Sequence, residues 1–166
     1  MENQLNELYN KIVNHLDFMI PTEWDKIYLL GEVEKGQLSI SSTFYFIDST
    51  TKQIVRGYSI PENYNVSEQT CSELQKKLTE MIYELSNCFK DNGQELWERV
   101  VFILDNNGKF NIDFQYNAIN ESDGGQLNRE IIWAYNTFEY IPKDGTYSRR
   151  LLDKYLNTLH MYTPDT

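Results

Sequence analysis

Few side chains of this 166-residue chain have the types and spacing that enzyme or metal chemistry requires. The two histidines, His15 and His160, stand near opposite ends, and no CxxC, HxH or HExxH spacing offers metal ligands. No GxSxG turn presents a serine, and neither Cys71 nor Cys88 has a histidine or a basic residue beside it. The sequence therefore predicts no catalytic residue, no metal site and no cofactor, and it predicts structural roles for both histidines.

Three weaker patterns have simpler explanations. The run 105–108, Asp-Asn-Asn-Gly, resembles half of a calcium loop but lacks the downstream glutamate, so a turn is expected. The glycine pair within 123–126 precedes a predicted helix without the lysine of a phosphate-binding loop. Asp113, Glu121 and Asp123 are candidates for acid–base work, but among 25 acidic residues such clusters arise by chance. Solvated surface positions are the simpler expectation for them.

The charge of the chain bears on its partners. There are 25 acidic residues against 15 basic ones, and the formal net charge is −10. Such a surface repels phosphate backbones and anionic lipids, so we expect no direct binding of nucleic acid or membrane. The same charge attracts basic proteins and speeds their encounter. Solubility alone is the alternative reason for an acidic surface.

Helical periodicity appears in four segments. Apolar residues at spacings of three and four predict helices over residues 2–19, 67–91, 126–139 and 147–161. Pro21 ends the first helix, and Asn65 or Ser67 is expected to cap the second. Cys71 and Cys88 both lie on the second helix, roughly 25 Å apart at about 1.5 Å per residue, which excludes a disulfide between them.

Alternating and apolar runs predict the strands. These are Tyr28 to about Glu34, a half-buried strand from Leu38 to Phe46, a third over Ile54–Ile60, and a hairpin of 100–104 and 110–116. Asn107-Gly108 supplies the hairpin turn. The order α-β-β-β-α-β-β-α-α indicates an α+β fold, with helices covering an antiparallel sheet made of a three-stranded meander plus a hairpin. We expect a single domain over residues 1–166.

The cysteines, the N-terminus and the length of the apolar runs indicate the same cellular compartment. Both cysteines are expected to be small buried apolar groups in a reducing compartment. The N-terminus lacks the basic and apolar regions of a signal peptide, and no apolar run is long enough to cross a membrane. The sequence therefore predicts a cytoplasmic protein.

Several aromatic residues are expected at exposed positions, where aromatic anchors ringed by charge build protein-binding surfaces. They are Trp24, Tyr64, Tyr116, Trp133 and Tyr140. Core packing is the alternative, above all for the tryptophans, because large aromatic side chains are highly buried on average.

Three groups of motifs resemble the YezG family of immunity proteins. The first is Met-Ile-Pro-Thr-Glu-Trp-Asp-Lys-Ile-Tyr at 19–28, and the second is Ile-Pro-Glu-Asn-Tyr at 60–64. The third comprises Phe-Gln-Tyr at 114–116, Glu-Ser-Asp at 121–123, Asn-Arg-Glu-Ile-Ile-Trp-Ala-Tyr at 128–135 and Ile-Pro at 141–142. The order and spacing of these motifs are fairly specific, and the resemblance extends from about residue 3 to residue 158.

The resemblance implies a cytoplasmic antitoxin of Gram-positive bacteria that is not an enzyme. Similar proteins are partners of large secreted toxins with an LXG-type or comparable export region and a C-terminal nuclease domain. Nuclease domains are basic, so an acidic protein is suited to bind them, either by plugging the cleft or by binding beside it. The chain departs from the family at Asn117 and Ala118, where acidic residues are frequent, which implies a different toxin variant if that pair contacts the toxin.

Toxin contacts are expected at element ends and at polar strand positions. The candidates are Glu23, Trp24, Asp25, Asp113, Tyr116, Glu121 and Asp123. A folding role is the alternative: Arg129 can form a helix-capping ion pair with Asp123, and Trp133 can belong to the core. The oligomeric state, monomer or homodimer, stays open.

Two other classes of function are alternatives. A non-enzymatic adaptor or small-ligand-binding module predicts a pocket lined by the aromatic strands. An enzyme requires a convergent set of titratable groups, which the sequence does not display.

Overall fold

A computed structural model describes residues 1–162, with side chains described as far as Met161. The helices and strands are α1 Glu2–Met19, β1 Trp24–Val33, β2 Ile40–Asp48, β3 Ile54–Arg56, α2 Ile60–Asn63, α3 Glu68–Asp91, β4 Arg99–Asp105, β5 Phe110–Gln115, α4 Gln126–Phe138 and α5 Tyr147–Tyr162. The predicted α+β class and element order are confirmed, with the one-turn helix α2 as an addition.

The chain is divided into two compact units. The first covers Met1–Ile119 and the second begins at Asn120. That all 166 residues act as one domain stays a prediction, and residues 163–166 of that range lie outside the described part.

The first unit contains a five-stranded antiparallel sheet in the order β3-β2-β1-β4-β5. β1 is central and pairs with β2 and β4, so that Ile27 lies beside Phe46 and Leu29 beside Phe102. The predicted meander is therefore β1-β2-β3, and the predicted hairpin β4-β5 is added to the free side of β1.

One face of this sheet forms the core with α1 and α3. Within the apolar stripes of the two helices, Ile12, Leu16 and Ile82 are fully buried in this core. Gly31 of β1 permits this close approach, because a Cβ atom there would lie 3.0 Å from Ile82 Cγ2 and 2.9 Å from Val100 Cγ1. Burial of these apolar stripes holds the helices on the sheet, since each fully buried aliphatic side chain contributes about 1.5–3 kcal/mol.

The second strand differs from its prediction as a half-buried strand. Phe44, Tyr45 and Phe46 are all buried, although successive side chains of a strand point to opposite faces. The prediction was wrong because it treated Tyr45 as a solvent-facing residue. Leu38, predicted to begin this strand, precedes it and is 85% exposed.

The third strand is shorter than predicted and ends at Arg56. At Gly57 the chain passes directly over a ring of β2, where a Cβ atom would lie 2.6 Å from Phe44. The chain then turns through Gly57–Ser59 into α2. The Ser42 carbonyl on this side of β2 instead accepts hydrogen bonds from Gln75 Nε2 at 2.8 Å and the Tyr58 hydroxyl at 3.3 Å.

Helix α3 follows its prediction closely. Ser67 caps it, with the hydroxyl accepting a bond of 3.1 Å from the Thr70 N–H, and Gly93 ends it at a φ of +66°. Cys71 and Cys88 are both free thiols of this helix, the first half-buried and the second buried. Within residues 1–162, no helix has the length and apolar character needed to cross a membrane.

Candidate functional site

The predicted toxin-contact residues do not form one cluster. Glu23, Trp24 and Asp25 lie where β1 begins, at the end of the sheet that also holds the β4-β5 turn. Tyr116 follows β5 at the opposite end, since its neighbour Gln115 pairs with the first residue of β4. Asp113 lies in mid-strand, and Glu121 and Asp123 belong to the second unit.

At the start of β1, two of the three candidates are held by contacts within the protein. Trp24 is half-buried, packs against the core, and donates from Nε1 to Asp17 Oδ1 at 2.9 Å. Asp25 accepts bonds from Lys52 Nζ at 2.7 Å and Ser49 Oγ at 2.8 Å, and these bonds lower the pKa of its carboxyl. Only Glu23 of the three is exposed.

A shallow basin of ≈ 650 Å³ opens beside Glu23, and we name it the sheet-end basin. Its lining residues are Asp17, Ile20, Pro21, Thr22, Glu23, Trp24, Ser49 and Asn106. Carboxylates and an indole ring at one place can receive the cationic side chain of a partner, by charge pairing and by cation–π attraction.

The turn between β2 and β3 supports this end of the sheet. The buried carboxylate of Asp48 accepts bonds from the N–H groups of Thr50 and Thr51 at 2.8 and 3.2 Å. It also accepts a bond of 2.6 Å from the Tyr64 hydroxyl, which is the main cause of a lowered pKa at Asp48. Burial and this carboxylate raise the pKa of Tyr64. Tyr64 is therefore half-buried and serves the fold, rather than standing free as predicted.

The candidates near β5 are accessible. Asp113 is exposed and accepts a bond of 3.0 Å from Gln115 Nε2. Tyr116 is 41% exposed, as predicted, and borders a cavity of ≈ 190 Å³ together with Asn117 and Trp97.

In the second unit, Asp123 holds the loop that begins α4. Its carboxylate accepts bonds from the N–H groups of Asn120 and Gly125 at 2.9 and 3.0 Å and pairs with Arg129 Nη1 at 2.9 Å. Burial opposes ionisation of this carboxyl, but these bonds outweigh it and lower the pKa. The predicted ion pair of Asp123 with Arg129 is thus present, but it does not cap the helix, because the N-cap residue of α4 is Gly125 and it has no side-chain cap bond. Glu121 is the exposed carboxylate of this loop.

Trp133 contradicts the expectation of exposure. Its side chain is only 7% exposed and packs edge-on against Phe138, with ring centroids 5.4 Å apart. Trp133 lies on the apolar side of α4 with the buried Ile131 and Ala134, so helical spacing rather than residue type decided its place. Tyr140 is half-buried.

A cavity lies beside α3, but its position differs from the one expected for a small-ligand-binding module. It has a volume of ≈ 450 Å³ and lies between α3 and the segment 57–62, not among the aromatic strands. Burial raises the pKa of Cys71, which lines it, so this thiol stays protonated.

His15 has a structural role, as predicted. Its Nε2 atom donates a hydrogen bond of 2.9 Å to the Leu74 carbonyl.

Sequence reasoning missed a buried ion pair within the sheet. Glu32 of β1 lies beside Arg99 of β4, and their side chains meet at 3.0 Å with the carboxylate only 4% exposed. The available signal in the sequence was a charged residue at the end of an apolar strand, namely Glu32 in β1 and Arg99 in β4. Trp97, also missed, is buried between Phe89 and Phe114.

Across the described residues, no group of three or more His, Cys, Asp or Glu side chains is placed to hold a metal ion. The exposed groups at the candidate positions are three carboxylates and one tyrosine. In class, this is a small acidic α+β protein.

The chain belongs to the family of YezG-like immunity proteins, whose family model matches residues 5–152. It is 31% identical to the immunity protein YezG of Bacillus spizizenii over 93% of this chain and 94% of the relative. It is 32% identical to the immunity protein YezG of Bacillus subtilis, over 84% and 91% of the two chains. The type VII secretion system protein EsaG of Staphylococcus aureus is 28% identical over 86% of each chain.

Proposed function

We propose that this protein is an antitoxin that binds a cognate toxin protein and neutralises it by direct contact. The observation that carries the proposal is the match to immunity proteins over nearly the whole chain. In this role the protein performs no chemistry of its own, and it acts in the cytoplasm, where the toxin is made.

The toxin domain we propose is a basic nuclease. A nuclease must carry positive charge to hold phosphate, and the formal net charge of −10 on this chain complements it. Attraction between opposite charges speeds association, which favours capture of a toxin made in the same cell. The S. aureus relative is a type VII secretion system protein, in keeping with a toxin that is exported.

The contact residues we propose are the accessible members of the candidate set. Glu23 at the sheet-end basin, Asp113, Tyr116 and Glu121 are exposed. Trp24, Asp25 and Asp123 support these positions through their bonds to Asp17, Lys52 and Arg129. Binding at the cleft or beside it would both occlude nucleic acid from the toxin.

Co-expression with the C-terminal domain of the toxin encoded beside this protein tests the proposal. Cells should survive, and titration of the purified protein into the toxin should abolish nuclease activity at one-to-one stoichiometry. Unchanged nuclease activity and no complex, with this toxin and with related toxins, would contradict the proposal.

Charge reversal tests the contact residues. Glu23→Lys and Glu121→Lys should each weaken toxin binding, mainly through slower association, with a loss that shrinks at high salt. Glu80→Lys changes the net charge equally at an exposed position of α3 and is the matched control. Equal effects of all three changes on calorimetric affinity would show that net charge, not these positions, governs binding.

A further inference from the structure

β5 is an edge strand whose outer side has free backbone groups. It comes last in the order β3-β2-β1-β4-β5, and among the described residues no strand pairs with its outer side. The carbonyl of Lys109 accepts a hydrogen bond of 2.8 Å from the N–H of Asp105 in β4, and that of Gln115 accepts one of 3.0 Å from the N–H of Glu98, just before β4. Because backbone groups alternate between the two sides of a strand, those of Phe110, Ile112 and Phe114 point away from β4.

This edge lacks the usual protection against pairing. Segment 110–115 contains no proline and no lysine, and it pairs with β4 residue for residue, without a bulge. Phe110 is 39% exposed, and the side chains of Asn111 and Asp113 are exposed as well. An open edge of this kind is a template for another strand.

We propose that the β5 edges of two copies of this chain pair antiparallel about a two-fold axis at Ile112. The outward backbone groups belong to the even-numbered residues of β5. The register in which the most of these groups pair therefore puts Ile112 opposite Ile112 of the second copy. Phe110 then lies opposite Phe114 of that copy, and each of these pairs exchanges two backbone hydrogen bonds. The two sheets become one continuous antiparallel sheet.

The side chains of β5 are self-complementary in this register. Phe110 faces Phe114 of the second copy, an aromatic pair that stabilises antiparallel strands. Asp113, the one charged residue of segment 110–115, faces the amide of Asn111 of the second copy, so no like charges meet. A second copy of the chain therefore satisfies both the backbone and the side chains of this edge.

Proline substitution at Ile112 tests the pairing. Ile112→Pro removes an N–H group that β4 does not use, and the residue before it is already extended, so the backbone of this edge strand accepts proline there. In the dimer, the Ile112 N–H of each copy donates one of the two bonds of the central pair, so the substitution removes both and the dimer dissociation constant should rise at least about tenfold in sedimentation equilibrium. Ile112→Val keeps the N–H and is the matched control, and circular dichroism checks that all three proteins are folded.

Cross-linking tests the register in a Cys71→Ser background, since Cys88 is buried. Asn111→Cys and Asp113→Cys place thiols opposite each other only when the two variants are mixed, at a Cβ separation of about 4.5–5.5 Å. Oxidation of the mixture should yield covalent dimer several-fold faster than oxidation of either variant alone. Equal rates, or a wild-type protein that stays monomeric up to about 100 µM, would overturn the proposal.

Asp113 belongs both to the paired edge and to the proposed toxin contacts, but the tests of the two proposals fail separately. Inhibition of the toxin by wild-type protein tests the antitoxin role whatever the oligomeric state. If Ile112→Pro weakens toxin binding while the wild type alone is monomeric, the edge takes a strand of the toxin and the two-copy proposal is wrong.

Discussion

The hydroxyl of Tyr64 donates a hydrogen bond of 2.6 Å to Asp48 Oδ2, joining the segment after α2 to the turn between β2 and β3. The same carboxylate accepts two backbone bonds within that turn. Asp48 is thus a buried charge whose hydrogen-bond donors come from two segments of the chain. Two donors belong to the turn itself, and the third, the Tyr64 hydroxyl, comes from the segment after α2. The nearby end of the sheet holds Glu23, so this bond bears on the surface that we propose for toxin binding.

Removal of the Tyr64 hydroxyl should destabilise the protein. Tyr64→Phe leaves a buried carboxylate short of one donor, and such a loss costs about 1–3 kcal/mol of unfolding free energy. Chemical denaturation monitored by circular dichroism measures the change. Tyr83→Phe removes a hydroxyl from a side chain that is 42% exposed, and it should shift the unfolding free energy by less than about 0.5 kcal/mol. Equal losses in the two variants would contradict the role given to Tyr64.

The free energy of unfolding should fall in acid over a defined pH range. The pKa values of Asp48 and Asp123 are lowered in the folded state, so both carboxylates stabilise it at pH above the unfolded value of about 3.9. That contribution is lost as the pH falls through the lowered folded-state pKa values. Denaturation curves from pH 7 to pH 2.5 should show a fall that begins near pH 4. In Tyr64→Phe the fall should be smaller, because the main cause of the Asp48 shift is gone; identical pH profiles would refute this.

Asp123 should act on stability and Glu121 should not. Asp123→Asn removes one charge of an ion pair in which the Arg129 side chain is only 10% exposed. We expect a loss of about 1–3 kcal/mol in unfolding free energy. Glu121→Gln, two residues away at an exposed position, should change stability by less than about 0.5 kcal/mol. Thermal unfolding of the two variants decides the matter, and a neutral Asp123→Asn would return Asp123 to the contact set.

Gly57 should be sensitive to the smallest enlargement. Gly57→Ala puts a methyl group 2.6 Å from the Phe44 ring, and a packed aromatic ring moves only at a cost of about 1–3 kcal/mol. Ser59→Ala in the same turn is the control and should be nearly neutral. The midpoint of urea denaturation measures both, and a stable Gly57→Ala protein would mean that the turn adjusts without strain.

The order of elements followed from local patterns in the sequence. The apolar stripes of α1 and α3, the Ser67 cap and the hairpin turn at Gly108 depend on residues close together in the chain, so spacing alone identified them. The motifs of the first strand and of residues 60–64 also identified the family, since they record residue types and need no coordinates. The sequence likewise excluded a disulfide between the two cysteines, because both lie on one helix and are too far apart along it.

Burial and pairing were decided by the tertiary structure. β3 ends at Arg56, where the next residue, Gly57, closely approaches Phe44 of the neighbouring strand, and Trp133 is only 7% exposed. The partner of Asp25, Lys52, was not foreseen, and for Asp123 the structure decided between a toxin contact and the ion pair with Arg129. A sequence lists which groups a chain carries, whereas only folding determines which of them meet, because contacts between distant residues depend on the path of the whole backbone.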